Sequence, residues 1–525
     1  MEQAQRFDCR EILHRKSAKP FLLILLVTVI AKGAAFLPAY SIDDYFLALE
    51  TPPPATSLGQ GRFGQALFLQ LFHLIQLEPS YARVFFVACA LVVSALFAVL
   101  VARHWNLRTS GASGWLSVAA ASIVSIHPFT TELFTFRTAL GISMCAFALL
   151  ALLLVPRRWS PAGVLAGAAL FALALSVYQV VLHYCLMIVL MGAAIGLTRF
   201  LVVGNRTGWP ERVTSLLSLR RISRHRNTVL LACATLGTVL YGIANAVISR
   251  ALHVTMTSRT RLLSLSGIGK RAEEIQEVLR YRFLAPSPLL GRFPKAMLLL
   301  LLLIALAGLL ARSRPWLRPW PIQPVRSTLL LLAVVLLLAV SLVWTVGIIM
   351  VLEDFWPVPR VMSHAGVFWA GVLVIAHQCL GARARQALGG LSLLLVLSFI
   401  GSSNQILNDQ LRLNLRDAAQ ANRILARLEA LPGFAGTETV AVNGATWAYP
   451  LSFPTADHDM NISAFGADWS KVAILREISG YDLKLAKDDA QKAVAAAYCR
   501  GAQPWPEPAS VTIKDRLVIL CLGFQ

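Results

Sequence analysis

Hydrophobic residues fall in blocks along this chain. Stretches of about 20 apolar residues, the length that spans the hydrocarbon core of a bilayer, recur from Phe21 to Ile400 between short charged segments. Their limits predict crossings near residues 20–38, 83–102, 114–128, 133–155, 161–177, 180–202, 228–249, 295–311, 327–350, 364–380 and 387–402. The fold class this implies is an all-α polytopic membrane protein with about eleven transmembrane helices. After the last block the pattern changes. Ile406, Leu411, Leu415, Ile424 and Leu428 recur at helical spacing until Pro432-Gly433. Residues 439–442, 510–514 and 517–520 read as strands and 488–498 as a helix. The expected organisation is a tail at 1–19, a membrane module at 20–403 and a small α/β domain at 404–525.

Composition supports the membrane reading. Of 525 residues, 57% are hydrophobic and 14% charged, an apolar share above that of soluble globular chains. The 48 Lys+Arg against 27 Asp+Glu call for no nucleic-acid partner, because basic residues gather in cytoplasmic loops. Alternate connections carry them. They are Arg10, Arg15, Lys16 and Lys19; Arg103 and Arg108; Arg157 and Arg158; Arg206, Arg212, Arg220, Arg221, Arg224 and Arg226; Arg312, Arg314, Arg318 and Arg326; Arg383 and Arg385. The N-terminus is therefore expected in the cytoplasm and the C-terminal domain on the opposite side. The first block is expected to be an uncleaved anchor, since Lys32 and Asp43-Asp44 follow it without a small-x-small cut. Cys89, Cys145, Cys185, Cys233 and Cys379 lie in apolar blocks and Cys9 is cytoplasmic. Cys499 and Cys521 remain on the oxidising side and are predicted to pair.

Three non-cytoplasmic segments are long enough to hold chemistry. Residues 40–82 contain an uncharged amphipathic stretch at 63–77, expected as a helix in the interface. Residues 250–294 are basic and invite an anionic partner. The third is the tail. Ser41-Ile42-Asp43-Asp44-Tyr45 admits two readings: a Ser-x-x-Asp helix cap, or paired carboxylates supplying a general base to an acceptor hydroxyl.

Further along come Gly61-Arg62-Phe63-Gly64, then Pro128-Phe129-Thr130-Thr131-Glu132 with Arg137, then Ser176-Val177-Tyr178-Gln179, and late in the chain Pro359-Arg360-Val361. With the acidic pair after the first crossing, this order resembles the bacterial O-antigen glucosyltransferases of the serotype-conversion type. The resemblance runs across most of the chain on short motifs. It implies a GT-C membrane glycosyltransferase of the bacterial inner membrane, with a periplasmic C-terminal domain. It also implies a polyprenyl-phosphate sugar donor and a catalytic acid residue in the first outer loop. No Rossmann or Walker glycine pattern is present in the sequence.

Displacing a lipid phosphate from an anomeric carbon requires a base for the incoming hydroxyl and cations for the departing phosphate. Asp43 is the expected base, with Asp44 orienting it or binding sugar. Arg62, Arg137 and Arg360 are phosphate candidates, each also able to anchor to headgroups. Glu132, Tyr178, Gln179, Glu353 and Asp354 are candidates for sugar or acceptor binding. No cofactor is expected. A divalent metal is not favoured, because His127 and His364 have no ligand spacing. His183 reads as a buried core histidine, and Lys32 either snorkels to headgroups or reaches the donor phosphate. The expected partners are the lipid-linked sugar donor, a lipid-linked glycan acceptor, membrane lipids, and a carrier-charging glycosyltransferase with a flippase. Rival readings are a transferase acting on lipid A or protein, and a transporter or flippase, which would place ionisable groups at the membrane midplane.

Overall fold

The computed structural model describes residues 15–49, 54–77, 79, 82–107, 114–155, 160–204, 226–285, 287–313, 323–435, 437–446 and 453–523. Outside them lie Cys9, Arg10 and the expected basic-loop residues Arg108, Arg157, Arg158, Arg206, Arg212, Arg220, Arg221, Arg224, Arg314 and Arg318.

In chain order the helices are α1 (Arg15–Lys32), α2 (Ile42–Leu49), α3 (Pro54–Gly59), α4 (Phe63–Leu74), α5 (Arg83–His104), α6 (Gly114–Ile126), α7 (Pro128–Thr135), α8 (Arg137–Leu154) and α9 (Pro161–Val177). The chain continues through α10 (Val180–Gly204), α11 (Arg226–Ala251), α12 (Ile268–Leu279), α13 (Arg292–Ser313), α14 (Gln323–Trp344), α15 (Ala365–Cys379) and α16 (Ala382–Glu429). Among the described residues, eight helices are long and apolar enough to cross a membrane: α1, α5, α8, α10, α11, α13, α14 and α16. The shorter α6, α9 and α15 fall on the remaining expected crossings and are packed between long helices. Every residue of α15 from Ala365 to Ala376 is buried, against α13, α10 and α6. Outer helices expose leucines and valines instead, as on α11 (Leu236, Leu240, Ile243, Val247) and α14 (Leu329, Leu332, Leu336, Val340). Apolar residues all round a helix are stable only in a core or against lipid.

At one end of the bundle, arginines close helix C-termini, whose last carbonyls lack intrahelical partners. Arg226 donates to the Arg103 carbonyl (3.1 Å), Arg199 to Trp105 (2.7 Å), Arg312 to Cys379 (2.8 Å) and Arg385 to His377 (3.0 Å).

Two boundaries depart from the sequence reading. Residues 128–132, expected in an open loop, begin α7, whose eight residues are all buried; Pro128 sits at its first position and the His127 side chain caps Phe129 N. The break expected between 403 and 404 is absent. The last crossing and the polar helix after it are one 48-residue helix, about 72 Å long at 1.5 Å per residue, because neither glycine nor proline interrupts residues 402–429.

Past α16 the chain forms β1 (Thr439–Asn443), α17 (Asp468–Ser479), β2 (Lys484–Leu485), α18 (Asp489–Gly501), β3 (Val511–Lys514) and β4 (Leu517–Cys521). The sheet order is β2-β1-β4-β3, with β1 parallel to both neighbours and β3-β4 an antiparallel hairpin. Asp515 and Arg516 turn that hairpin at positive φ (47° and 63°), the conformation a two-residue hairpin loop requires. One sheet face packs on Ile424 and Leu428 of α16 and Ile474 of α17. The other face packs on Ala495 of α18. A disulfide joins Cys499 of α18 to Cys521 of β4. The tail also reaches back to the first loop, where α2 packs on α17.

Candidate active site

Six segments distant in sequence meet at the end of the bundle opposite those arginines. They are the α1–α4 connection, α7, the α9–α10 junction, the loop after α11, the loop before α15, and the tail between β1 and α17. Among the described residues, and leaving aside the short α4, two long or apolar helices separate successive members.

The acidic pair is split by its own helix. Asp44 is buried, and its carboxylate accepts from Ser41 N (2.8 Å), Ser41 Oγ (2.9 Å), Arg137 N (3.2 Å) and Thr138 N (2.8 Å). Ser41 Oγ in turn accepts from Asp44 N (3.2 Å), completing a reciprocal capping box at the start of α2. The same carboxylate caps the first turn of α8, where free N–H groups attract an anion. Asp44 thus ties the first loop to α8, its Oδ2 accepting three of these bonds and its Oδ1 the one from Thr138 N. Asp43, one position earlier, is half-buried and accepts one hydrogen bond, from Trp469 Nε1 (3.1 Å). Burial raises its pKa above the usual carboxylate value, with Arg360 opposing and Asp44 and Asp459 adding.

Arg360 organises the centre. Its Nη1 donates to Glu132 Oε1 (2.5 Å), its backbone N to Glu132 Oε2, and its Nη2 to Asp459 Oδ2 (2.6 Å). Its guanidinium lies 4.4 Å from the Phe136 ring centroid. Glu132 is fully buried on α7. Burial raises its pKa, and the charge and N–H of Arg360 act against that. Burial alone would lower Arg360, but Glu132 and Asp459 outweigh it and hold the guanidinium charged. The guanidinium is thus paired with two carboxylates and feels the charge of Asp43 as well.

The Gly-Arg-Phe-Gly and Ser-Val-Tyr-Gln motifs meet each other. Gly61 has φ +71°, and a Cβ there would fall 2.6 Å from Tyr241 Oη; a Cβ on Gly64 would strike Ser176. The two glycines therefore permit a positive φ and a close helix approach. Between them Arg62 Nε donates to Gln179 Oε1 (3.1 Å), and its guanidinium lies 5.6 Å from the Tyr178 ring. Gln179 Nε2 donates to the Gln60 carbonyl (3.0 Å), and Tyr241 Oη to that of Gly61 (3.0 Å). Arg62 has a lowered pKa, by burial first and by the nearby charges of Arg259 and Arg360.

Other expected members lie elsewhere. Arg137 is buried, with its Nη1 on the Ala39 carbonyl, and braces the first loop; it does not join Arg62 and Arg360. Glu353 and Asp354 form exposed pairs with Arg261 (3.8 Å) and Arg259 (3.4 Å) of the basic loop. Much of that loop is committed internally. Arg271 donates to the carbonyls of Ile349, Met350, Leu352 and Glu353, and Arg282 forms a buried ion pair with Asp457. Lys32 neither snorkels nor reaches the cluster: it is buried, donating to the Ser125 carbonyl (2.7 Å) and Thr130 Oγ1 (2.5 Å). His183 is held by the Val361 carbonyl (3.1 Å) and Ile348 N (3.0 Å), as a core histidine.

Two participants went unnoticed in the sequence, Asp459 and Trp469. Asp457-His458-Asp459 is a visible run of polar residues, but only the fold brings it to Arg360 and Arg282.

Carboxylates around one guanidinium, a second arginine held by neutral partners, and apolar helices beneath form a site suited to moving a sugar at a membrane surface. The sequence profile described as Glucosyl transferase GtrII matches residues 34–374, which contain Asp43, Arg62, Glu132, Tyr178, Gln179 and Arg360. No curated protein and no solved structure matches the chain. A profile match over more than half of the sequence, on a bundle with eight helices long and apolar enough to cross a membrane, places the chain in the GtrII glucosyltransferase family, as a membrane protein with sugar donor and acceptor substrates.

Proposed function

We propose that the protein transfers glucose from polyprenyl-phosphate-glucose to a hydroxyl of a lipid-linked O-antigen or another surface glycan, with inversion at the anomeric carbon. The reaction would take place on the periplasmic side of the bacterial inner membrane, in a GT-C type arrangement with the N-terminus cytoplasmic. The observation that carries this reading is Asp43. Among the described residues it makes no ion pair within 4 Å, yet it stands beside Arg360 in a cluster fed by every second connection of the bundle.

In this mechanism Asp43 accepts the proton of the acceptor hydroxyl while the oxygen bonds to C1 of the glucose. The bond from C1 to the phosphate oxygen breaks on the opposite face, and polyprenyl phosphate leaves with the electron pair. Arg62 is the phosphate partner of choice, since its nearest hydrogen-bond partner is the neutral Gln179. Arg360 is held charged by Glu132 and Asp459, and so contributes a fixed positive centre rather than a mobile one. Neither metal nor other cofactor enters these steps. Exposed Leu67, Leu71, Leu74 and Ile75 on and beside α4 give that helix the apolar face an interfacial, carrier-holding element needs.

The test is transfer of labelled glucose from synthetic polyprenyl-phosphate-glucose to a lipid-linked glycan by purified protein, with the product anomer read by NMR. Wild type should form product of inverted configuration. Asp43→Asn should lose a factor of about 10² to 10⁴, the usual contribution of a general base. Unchanged transfer in Asp43→Asn removes Asp43 as base, and retention of configuration removes the single displacement.

A further inference from the structure

Two indoles flank the carboxylate cluster, and the reaction just described uses neither. Trp356, in the loop before Arg360, is 41% exposed, and Trp469, at the start of α17, is 48% exposed. The exposed leucines and valines of this chain mostly line outward helix faces; these two rings stand among charges instead. Each is fixed by its N–H edge. Trp469 Nε1 donates to Asp43 Oδ1 (3.1 Å), and Trp356 Nε1 donates to Asp459 Oδ2 (3.3 Å). The His458 ring meets Trp356 edge-on, centroids 5.4 Å apart. Asp43 and Asp459 both surround Arg360, so the two indoles belong to one cluster.

An indole tethered at its edge still presents a π face. That face carries negative quadrupole charge and attracts groups with polarised hydrogens. A pyranose offers C–H groups on its ring face and hydroxyl donors around its rim. Ionised carboxylates are acceptors only, so a ring seated on the indole can donate its rim hydroxyls to the acid beside it. Rigid aromatic side chains also lose little conformational freedom on binding.

We propose that Trp356 and Trp469, together with Asp459, form the acceptor-glycan subsite, with pyranose rings stacked on the indoles and hydroxyls donating to the adjacent carboxylates. The assignment to the acceptor follows from where the residues originate. Trp469 and Asp459 come from the tail beyond the membrane helices and beyond the matched residues 34–374. A donor glucose one phosphate away from its lipid lies close to the bilayer, whereas a polymeric acceptor extends from it. Trp469 also fixes Asp43, so a sugar on that indole brings its hydroxyl to the base. The inference rests on the glucosyl-transfer reading above and specifies its acceptor side.

Two readouts on the full-length protein test it. In the transfer assay, Trp356→Ala and Trp469→Ala should each raise the acceptor KM about tenfold, the loss of one stacked ring, with the donor KM held within a factor of about two. Trp469→Phe keeps a ring face without the N–H, so its acceptor KM should stay near wild type while the acidic limb of its kcat profile moves. Independently of transfer, calorimetric titration with a panel of pyranose oligosaccharides and no donor should show binding that both alanine variants lose. Alanine variants with wild-type KM and wild-type oligosaccharide affinity overturn the subsite, as does a wild type that binds none of the panel. Oligosaccharide binding that depends on the indoles supports the subsite even where no glucose moves, and in that case the donor assignment fails instead.

Discussion

Asp43 and Asp44 are adjacent in sequence and about 100° apart around α2, and that rotation separates chemistry from structure. Asp44 serves two helix N-termini at once, so Asp44→Asn should cost about 2 to 3 kcal/mol, because an amide nitrogen would face donors where an oxygen accepted. Thermal unfolding in detergent measures that loss. Asp43→Asn should unfold at or slightly above the wild-type temperature. The sign follows from its raised carboxyl pKa: the folded state binds this proton more tightly than the unfolded chain does. Ionisation at neutral pH therefore opposes folding, and the amide removes that opposition. For activity the same shift means that the base is silenced as pH falls, at a pH above the usual carboxylate range. Wild-type kcat/KM should show that acidic limb and any residual activity of Asp43→Asn should lack it; a limb that persists in the variant assigns it to another group. The Ser-x-x-Asp cap was legible in the sequence because its partners are three residues apart. The bond from Asp44 to Arg137, 93 residues along, was not, and this is why both residues read as candidates for chemistry.

At the scale of elements, the apolar blocks located the membrane helices well, because length and hydropathy alone define a crossing. The tail was legible unevenly. Strand β3 follows its alternation, β4 is a short continuous apolar run buried throughout and α18 follows its periodicity, while α17 buries the continuous run Ser470 to Leu475 and shows no amphipathic stripe. Strand β2, two residues long, is set by pairing with β1 rather than by its own sequence. α7 was hidden because its apolar residues merge with those of the helices on either side, although Pro128 marked its first turn. The disulfide joins α18 to β4 across 22 residues. Closing a loop of that length should stabilise the sheet unit by about 3 kcal/mol. Cys499→Ser should therefore make the tail the first part to open. Limited proteolysis tests this, with cleavage expected in residues 489–523 and the membrane helices left intact. Equal proteolytic lifetimes for wild type and variant would show that the packing of α18 is sufficient without the bond.

For the whole molecule, the decisive feature is which connections meet. Asp43 follows α1, Glu132 follows α6, Gln179 follows α9, Arg259 follows α11, Arg360 follows α14 and Trp469 follows α16, and, α4 aside, two long or apolar helices among the described residues separate each from the next. A missing or extra crossing would put neighbours in this series on opposite faces of a bilayer. Their contacts, Arg360 with Glu132 and Asp459, Asp43 with Trp469, and Arg282 with Asp457, thus constrain the path of the chain as well as the site. In the sequence, alternate basic loops carried the same information in weaker form. The residue-level meeting points were not readable there, because no local pattern ties a loop at 360 to a tail at 459. Single cysteines in an otherwise cysteine-reduced background turn this into a measurement. Ser264, Lys487 and Arg383 are all exposed, the first in the basic loop, the second in the tail and the third at the start of α16. An impermeant maleimide added outside spheroplasts should label Ser264→Cys and Lys487→Cys, and should reach Arg383→Cys only after lysis. The opposite assignment of all three would reverse the proposed orientation while leaving the bundle intact. Labelling of Ser264→Cys and Lys487→Cys from opposite sides would break the convergence of loops on which the site depends.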